Sequence, residues 1–171
     1  MDQSLSLDGV AEWNDTWALA VVFGLASVPW TFAFVAELHI PLWPSFIASA
    51  SFYAAGGGTE GLIRGYASNF AGIVYAVATL AIVGAIGGGA VALSLVVGAF
   101  MFLASTHDFV PVLSFTPGAF FGYATMFSVN AASETAFGIT GLPGETAAAV
   151  VSMLIGALIG ISTEKLSNSL A

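Results

Sequence analysis

Two histidines in this chain each stand beside a carboxylate: Glu37 lies two residues before His39, and Asp108 directly follows His107. Imidazole changes charge between about pH 5 and 8, so a His–carboxylate pair could gate a path by protonation. The same residues are possible ligands for a divalent cation, but no His pair at i, i+4 supports one and no metal is expected. Residues of this kind at the ends of apolar runs could also be merely interfacial. Glu60 and Arg64 are four apart with the acid first, the favourable order for an ion pair along a helix. Glu60 and Glu134 are also the carboxylates that a proton-coupled carrier would use. His39, His107, Asp108, Glu60 and Glu134 therefore form the gating or coupling candidates.

A second group could line a path. Asn69 and Asn130 sit within or beside long apolar stretches, where an amide must find a partner on another helix or face water. Two short aromatic segments stand at matching places in the chain, with Phe46, Phe52 and Tyr53 in one and Phe120, Phe121 and Tyr123 in the other. Rings pinching a narrow passage pass small neutral molecules and stop hydrated ions by dewetting. The same rings could simply pack between helices or sit in the interfacial belt. No nucleophile elbow, phosphate loop or His-rich cluster is present, so no catalytic residue, enzymatic activity or cofactor is expected.

The elements that must position these residues follow from charge. From Gly65 to Thr106 the chain runs 42 residues without a charged side chain, and similar runs cover Thr16–Ala36, Phe109–Ser133 and Thr146–Thr163. One helical span of a bilayer needs about 20 apolar residues, and in lipid every backbone polar group must be satisfied internally. With 58% hydrophobic and 7% charged residues over 171 positions, the chain reads as one polytopic, all-α membrane domain, 16–163. An acidic arm, 1–15, precedes it and a short tail, 164–171, follows. No basic region stands before the first apolar run, which is therefore read as a retained helix.

Ten acidic residues face two basic ones, a net charge of −8. This balance disfavours nucleic acid and anionic headgroups as partners, since both need clustered Lys or Arg. A carboxylate-rich surface almost without lysine suits a high-salt host, where the Debye length falls to about 3 Å at 1 M, and points to a halophilic archaeon. Zero cysteines exclude disulfides and thiolate metal sites.

Proline and glycine divide the apolar runs into six elements. A first span, Thr16 to Leu38, carries Pro29, where a kink is expected. A short segment, Pro44 to Ala55, reaches only about 18 Å at 1.5 Å per residue. A span from Leu62 to Ile86 follows, and after Gly87-Gly-Gly89 another from Ala90 to Thr106. A second short segment begins at Pro117, and a last span starts at Glu145 and ends near Ser162. Between the halves the offsets are 68 for His39 to His107, 70 for Pro41 to Pro111, 73 for Pro44 to Pro117 and 74 for Glu60 to Glu134. Two three-element repeats, 16–86 and 90–163, are expected, the second inverted because three is odd, each with a short Gly/Pro-broken second element. Arg64 and Lys165 then share one side, which the positive-inside rule makes cytoplasmic together with both termini.

Trp43, Phe46, Tyr53, Gly57, Gly58, Gly61, Leu62, Asn69, Gly72 and Ala76, followed by Phe115, Pro117, Gly118, Phe120 and Gly122, resemble the pattern of a family of small bacterial inner-membrane proteins catalogued as domain of unknown function 1097. The resemblance covers most of Leu42 to Ile161, and the acidic arm departs from it. More weakly, that family is similar to the low-CO2-inducible membrane proteins of green algae. That second likeness implies a trimeric CO2 channel.

The sequence is therefore read as a homo-oligomeric channel of the cell membrane, a trimer, for a small neutral solute, CO2 first and urea-like molecules next. A proton-coupled transporter and a structural or accessory subunit are the alternatives. Glycine-rich faces, which let helices approach closely, are what favour assembly with copies of itself.

Overall fold

The computed structural model describes residues 15–170, so all of the acidic arm except Asp15 lies outside the described residues. Helix α1, Asp15–Phe32, ends in one wide turn of π-helix, Ala33–Leu38. Then come α2, Trp43–Ala54, α3, Gly58–Ala85, and α4, Ala90–Ser105. Two single 3-10 turns, His107–Phe109 and Pro111–Leu113, lead into α5, Thr116–Ala132, and the chain closes with α6, Gly141–Asn168. No strand occurs among the described residues. Among the described residues four segments are long and apolar enough to cross a membrane: Thr16–Leu38, Gly58–Ala85, Ala90–Phe109 and Gly141–Asn168. The chain is an all-helical, multi-pass membrane protein.

Three boundaries differ from the sequence expectation. The helix runs through Pro29, and the irregularity falls instead at Ala33–Leu38, after which His39 takes a left-handed conformation at φ 50°. A wide turn of this kind spreads over several residues the register mismatch that a proline introduces. The last span opens at Gly141 rather than Glu145, because Pro143 suits a first helical turn, where its missing N–H costs nothing. That helix also continues to Asn168, so most of the expected tail is helical.

The turn at Gly56-Gly57-Gly58 has φ values of 102°, 68° and 60°, a run that only glycine adopts without strain. A Cβ on Gly57 would also collide with the Glu164 carboxylate. Glu164 accepts a hydrogen bond from the Gly58 N–H at 2.8 Å, so a side chain of α6 caps the start of α3, where backbone N–H groups lack helical partners. Glu164→Ala is expected to lower stability by about 1 kcal/mol, the typical worth of a lost cap. An unchanged thermal unfolding curve in detergent would show that the cap contributes nothing.

Helices α2, α3, α5 and α6 form the core, each touching the other three, with α3 laid extensively on α5 and α2 on α6. Helix α1 leans on α6 and α4 on α3. Glycine makes the two main crossings close. A Cβ on Gly72 would meet the Ala119 carbonyl oxygen at 2.0 Å, and one on Gly156 would meet the Ser45 carbonyl oxygen at 2.0 Å. Backbone-to-backbone packing of this kind is how helices associate where no hydrophobic effect drives them together.

Both irregular segments lie against the middles of long helices rather than at their ends. Ser45, at the start of α2, faces Gly156 near the centre of α6 and accepts a hydrogen bond from Trp30 Nε1 at 2.9 Å. In the other half, Ser68 of α3 donates to the Leu113 carbonyl at 3.1 Å, and Tyr75 Oη and His107 Nε2 are hydrogen bonded at 2.9 Å. The chain thus turns from α1 into α2, and from α4 into α5, at the level of the middles of α6 and α3, although residues 36–39 and 108–112 themselves face outward. Non-helical backbone at membrane depth is tolerated only where protein encloses it or water reaches it.

Candidate functional site

The aromatic candidates fall into three environments. Phe52 is buried, its ring pressed on Gly160 of α6 and edge-on to Tyr53 at 5.0 Å. Tyr53 and Tyr123 direct their hydroxyls inward, to Thr163 Oγ1 at 2.7 Å and to Thr79 Oγ1 at 2.8 Å. Phe46, Phe120 and Phe121 face outward, Phe46 stacked on Trp30 at 4.2 Å. Phe46 and Tyr53 border one apolar groove of about 680 Å³ between α1 and α2, together with Leu19 and Phe23. Phe52 thus faces α6 inside the bundle while Phe120 and Phe121 face outward from α5.

The ionisable candidates also separate. Glu60 and Arg64 form the ion pair their spacing predicts, at 3.4 Å, on an exposed turn of α3. His39 is exposed and donates from Nδ1 to the Val35 carbonyl at 3.2 Å. His107 is buried behind Tyr75, while its neighbour Asp108 faces outward and accepts from Thr116 Oγ1 at 3.1 Å. Glu134 accepts from Trp43 Nε1 at 2.9 Å, tying the end of α5 to the start of α2. Asn130 donates to Glu145 Oε2 at 2.6 Å. Glu145, which the sequence marks only as a helix opener, is buried, so its carboxylate depends on that amide.

What the structure does gather is a set of small polar groups inside the four core helices. Ser49 of α2, Thr125 of α5 and Ser152 of α6 are fully buried, and their hydroxyls have no hydrogen-bond partner among the described residues. Asn69 of α3 is equally buried; its Oδ1 accepts from Ser51 Oγ at 2.9 Å, while its Nδ2 has no such partner. Each of the four lies close to the middle of its helix. The α3–α6 pair runs antiparallel, with Tyr66 bonded to the Val150 carbonyl and Leu62 facing Leu158 across a groove of about 400 Å³. That register sets Asn69 at the level of Ser152.

The usual fate of a hydroxyl in an apolar helix is a bond back to its own backbone four residues earlier. Ser27, Thr79, Ser94, Ser105, Thr146, Ser162 and Thr163 all make it, and Ser49, Thr125 and Ser152 do not. A buried polar group without a partner costs about 1–3 kcal/mol, so four in one helical core need a physical reason. Their signal in the sequence is faint: isolated serines and threonines in uncharged runs, indistinguishable by spacing from those that bond back. Among the described residues no cluster of three or more His, Asp or Glu could hold a metal ion.

The family described as "Protein of unknown function (DUF1097)" matches residues 20–168, so the chain belongs to that family. It is similar to the "Uncharacterized protein YahC" of Escherichia coli (strain K12), 37% identical over 95 residues that cover 48% of this chain and 53% of the relative. The match thus spans about half the length of that curated relative. No solved structure matches the chain.

Proposed function

We propose that this member of the DUF1097 family is a passive facilitator for a small uncharged solute, with CO2 the first candidate and urea-like molecules next. The carrying observation is the group of unpartnered polar atoms on Ser49, Asn69, Thr125 and Ser152 at the middles of four helices. Polar groups retained inside a membrane protein mark solute paths, because lipid alone would select against them. Helices α2 and α5 begin against the middles of α6 and α3, as interrupted helices do in transport folds, although only α2 is short and α5 runs 17 residues without a break.

The same reading includes two inverted repeats, α1–α3 and α4–α6. Exchanging α1 with α4, α2 with α5 and α3 with α6 carries the two most extensive pairings of the core into each other, α3 on α5 into α6 on α2. Helices α3 and α6 are both 28 residues long. We read the protein as a homo-oligomer, a trimer, in the cell membrane of a high-salt organism, with both termini cytoplasmic. We assign it no enzymatic chemistry. A proton-coupled carrier is the second reading, favoured by the buried Glu145 with its Asn130 partner.

Purified protein in liposomes should speed equilibration of CO2 or urea in stopped-flow traces while leaving membrane conductance unchanged. A neutral solute crossing such a site sheds little hydration, whereas an ion would lose several kcal/mol of it without compensating ligands. Traces identical to empty liposomes across a panel of neutral solutes, or robust single-channel ion currents, would overturn the facilitator. Solute accumulation driven by an imposed pH gradient would favour the carrier instead.

A further inference from the structure

We infer that Asn69 is the specificity-determining residue of this passage, and that it selects small uncharged molecules presenting a carbonyl-type oxygen. This role for Asn69 rests on the facilitator reading above and deepens it. Asn69 is 1% exposed and stands where α2, α3 and α5 converge. Two glycines of α5 admit it: a Cβ on Gly118 would lie 3.1 Å from Asn69 Oδ1, and one on Gly122 would lie 1.8 Å from the Asn69 carbonyl oxygen.

The orientation of the amide follows from its single partner. Ser51 Oγ, also fully buried, has Asn69 Oδ1 as its acceptor at 2.9 Å and no other acceptor among the described residues. With Ser51 donating, Oδ1 is engaged and both hydrogens of Nδ2 remain. Turned over, the amide would leave the Ser51 proton and its own oxygen unsatisfied together, a costlier arrangement in a dry interior. The amide therefore presents two unused donors. A carbonyl oxygen satisfies it; a molecule of the same shape with a weak acceptor leaves it unpaired. Sites built on buried polar groups discriminate most strongly in that situation.

Urea and thiourea supply the test, since they share shape and N–H groups and differ in the acceptor atom. Proteoliposomes of the full chain should pass urea faster than thiourea. Asn69→Leu, close in volume but without donors, should slow urea by about tenfold, at the upper end of what one buried hydrogen bond is worth, and bring the urea-to-thiourea ratio near one. Ser51→Ala keeps the amide but frees it to turn, and should lower the same ratio at a modest cost in unfolding temperature, since Asn69 Oδ1 loses its donor; it decides the matter if Asn69→Leu fails to fold. A parallel measurement with CO2 separates the two solutes. A fall in CO2 flux in step with urea marks the chemistry they share, and a fall in urea alone narrows the site to amides. A wild type that passes urea and thiourea equally, or variants that keep the wild-type ratio, would overturn the role of Asn69 while leaving the passage standing. A wild type that passes none of these solutes would remove the passage itself.

Discussion

Gly122→Ala should unfold the protein or drive it into aggregates, whereas Gly98→Ala should leave it intact. A methyl group at position 122 would sit 1.8 Å from the Asn69 carbonyl oxygen, 2.7 Å from the carbonyl carbon and 3.0 Å from Cα. All three are backbone atoms, so no rotamer change relieves the collision. The α3–α5 crossing, the broadest in the molecule, would have to separate. Overpacking a tight interior commonly costs about 1–3 kcal/mol, and a rigid backbone contact at the main interface belongs at or above the top of that range. Gly98, in α4, has open space where its Cβ would go, so alanine there is neutral or stabilises by up to about 1 kcal/mol through helix propensity. Thermal unfolding and size-exclusion profiles in detergent check both. A Gly122→Ala variant that melts like the wild type would mean that the two helices can part at this crossing without loss.

The second large effect separates two phenylalanines that the sequence treats alike. Read from sequence, Phe52→Ala or Phe120→Ala widens a constriction and alters selectivity more than folding. The structure assigns them opposite roles in stability. Phe52 is 1% exposed, and Gly160 of α6 lies against its ring, so truncation leaves a cavity in the α2–α6 interface. Such changes cost about 3–5 kcal/mol. Phe120 is 39% exposed on the outer side of α5, and its loss should shift the unfolding temperature little. Equal unfolding temperatures for the two variants would contradict this assignment. A marked loss for Phe120→Ala would point to a partner surface on that face of α5.

Several features of the molecule are legible in the chain itself. Charge placement alone locates the long spans, because a charged group is costly in lipid and a soluble domain would not go 42 residues without one. Proline and glycine mark where helices break, since the backbone limits they impose are local. The Glu60–Arg64 pair forms as its spacing predicts, for the same reason.

Side-chain fate is another matter. Nothing local distinguishes Ser162, which bonds back to the Leu158 carbonyl, from Ser152, which does not. Nor does local sequence show that Phe52 points at α6 while Phe120 points outward, or that Glu145 is buried against Asn130 whereas Glu60 is exposed.

From sequence alone came the solvent, the helical kind of the elements and the prolines and glycines near which most of them break, all properties set by a few neighbouring residues and by the free energy of transfer to lipid. Tertiary structure decided which face of each helix is inside, that α2 and α5 begin against the middles of α6 and α3, and that Asn69 meets Ser51. Those outcomes depend on where backbones can touch. Helices in lipid have no preference for one apolar neighbour over another until glycines such as Gly72, Gly122 and Gly156 let one approach more closely than the rest.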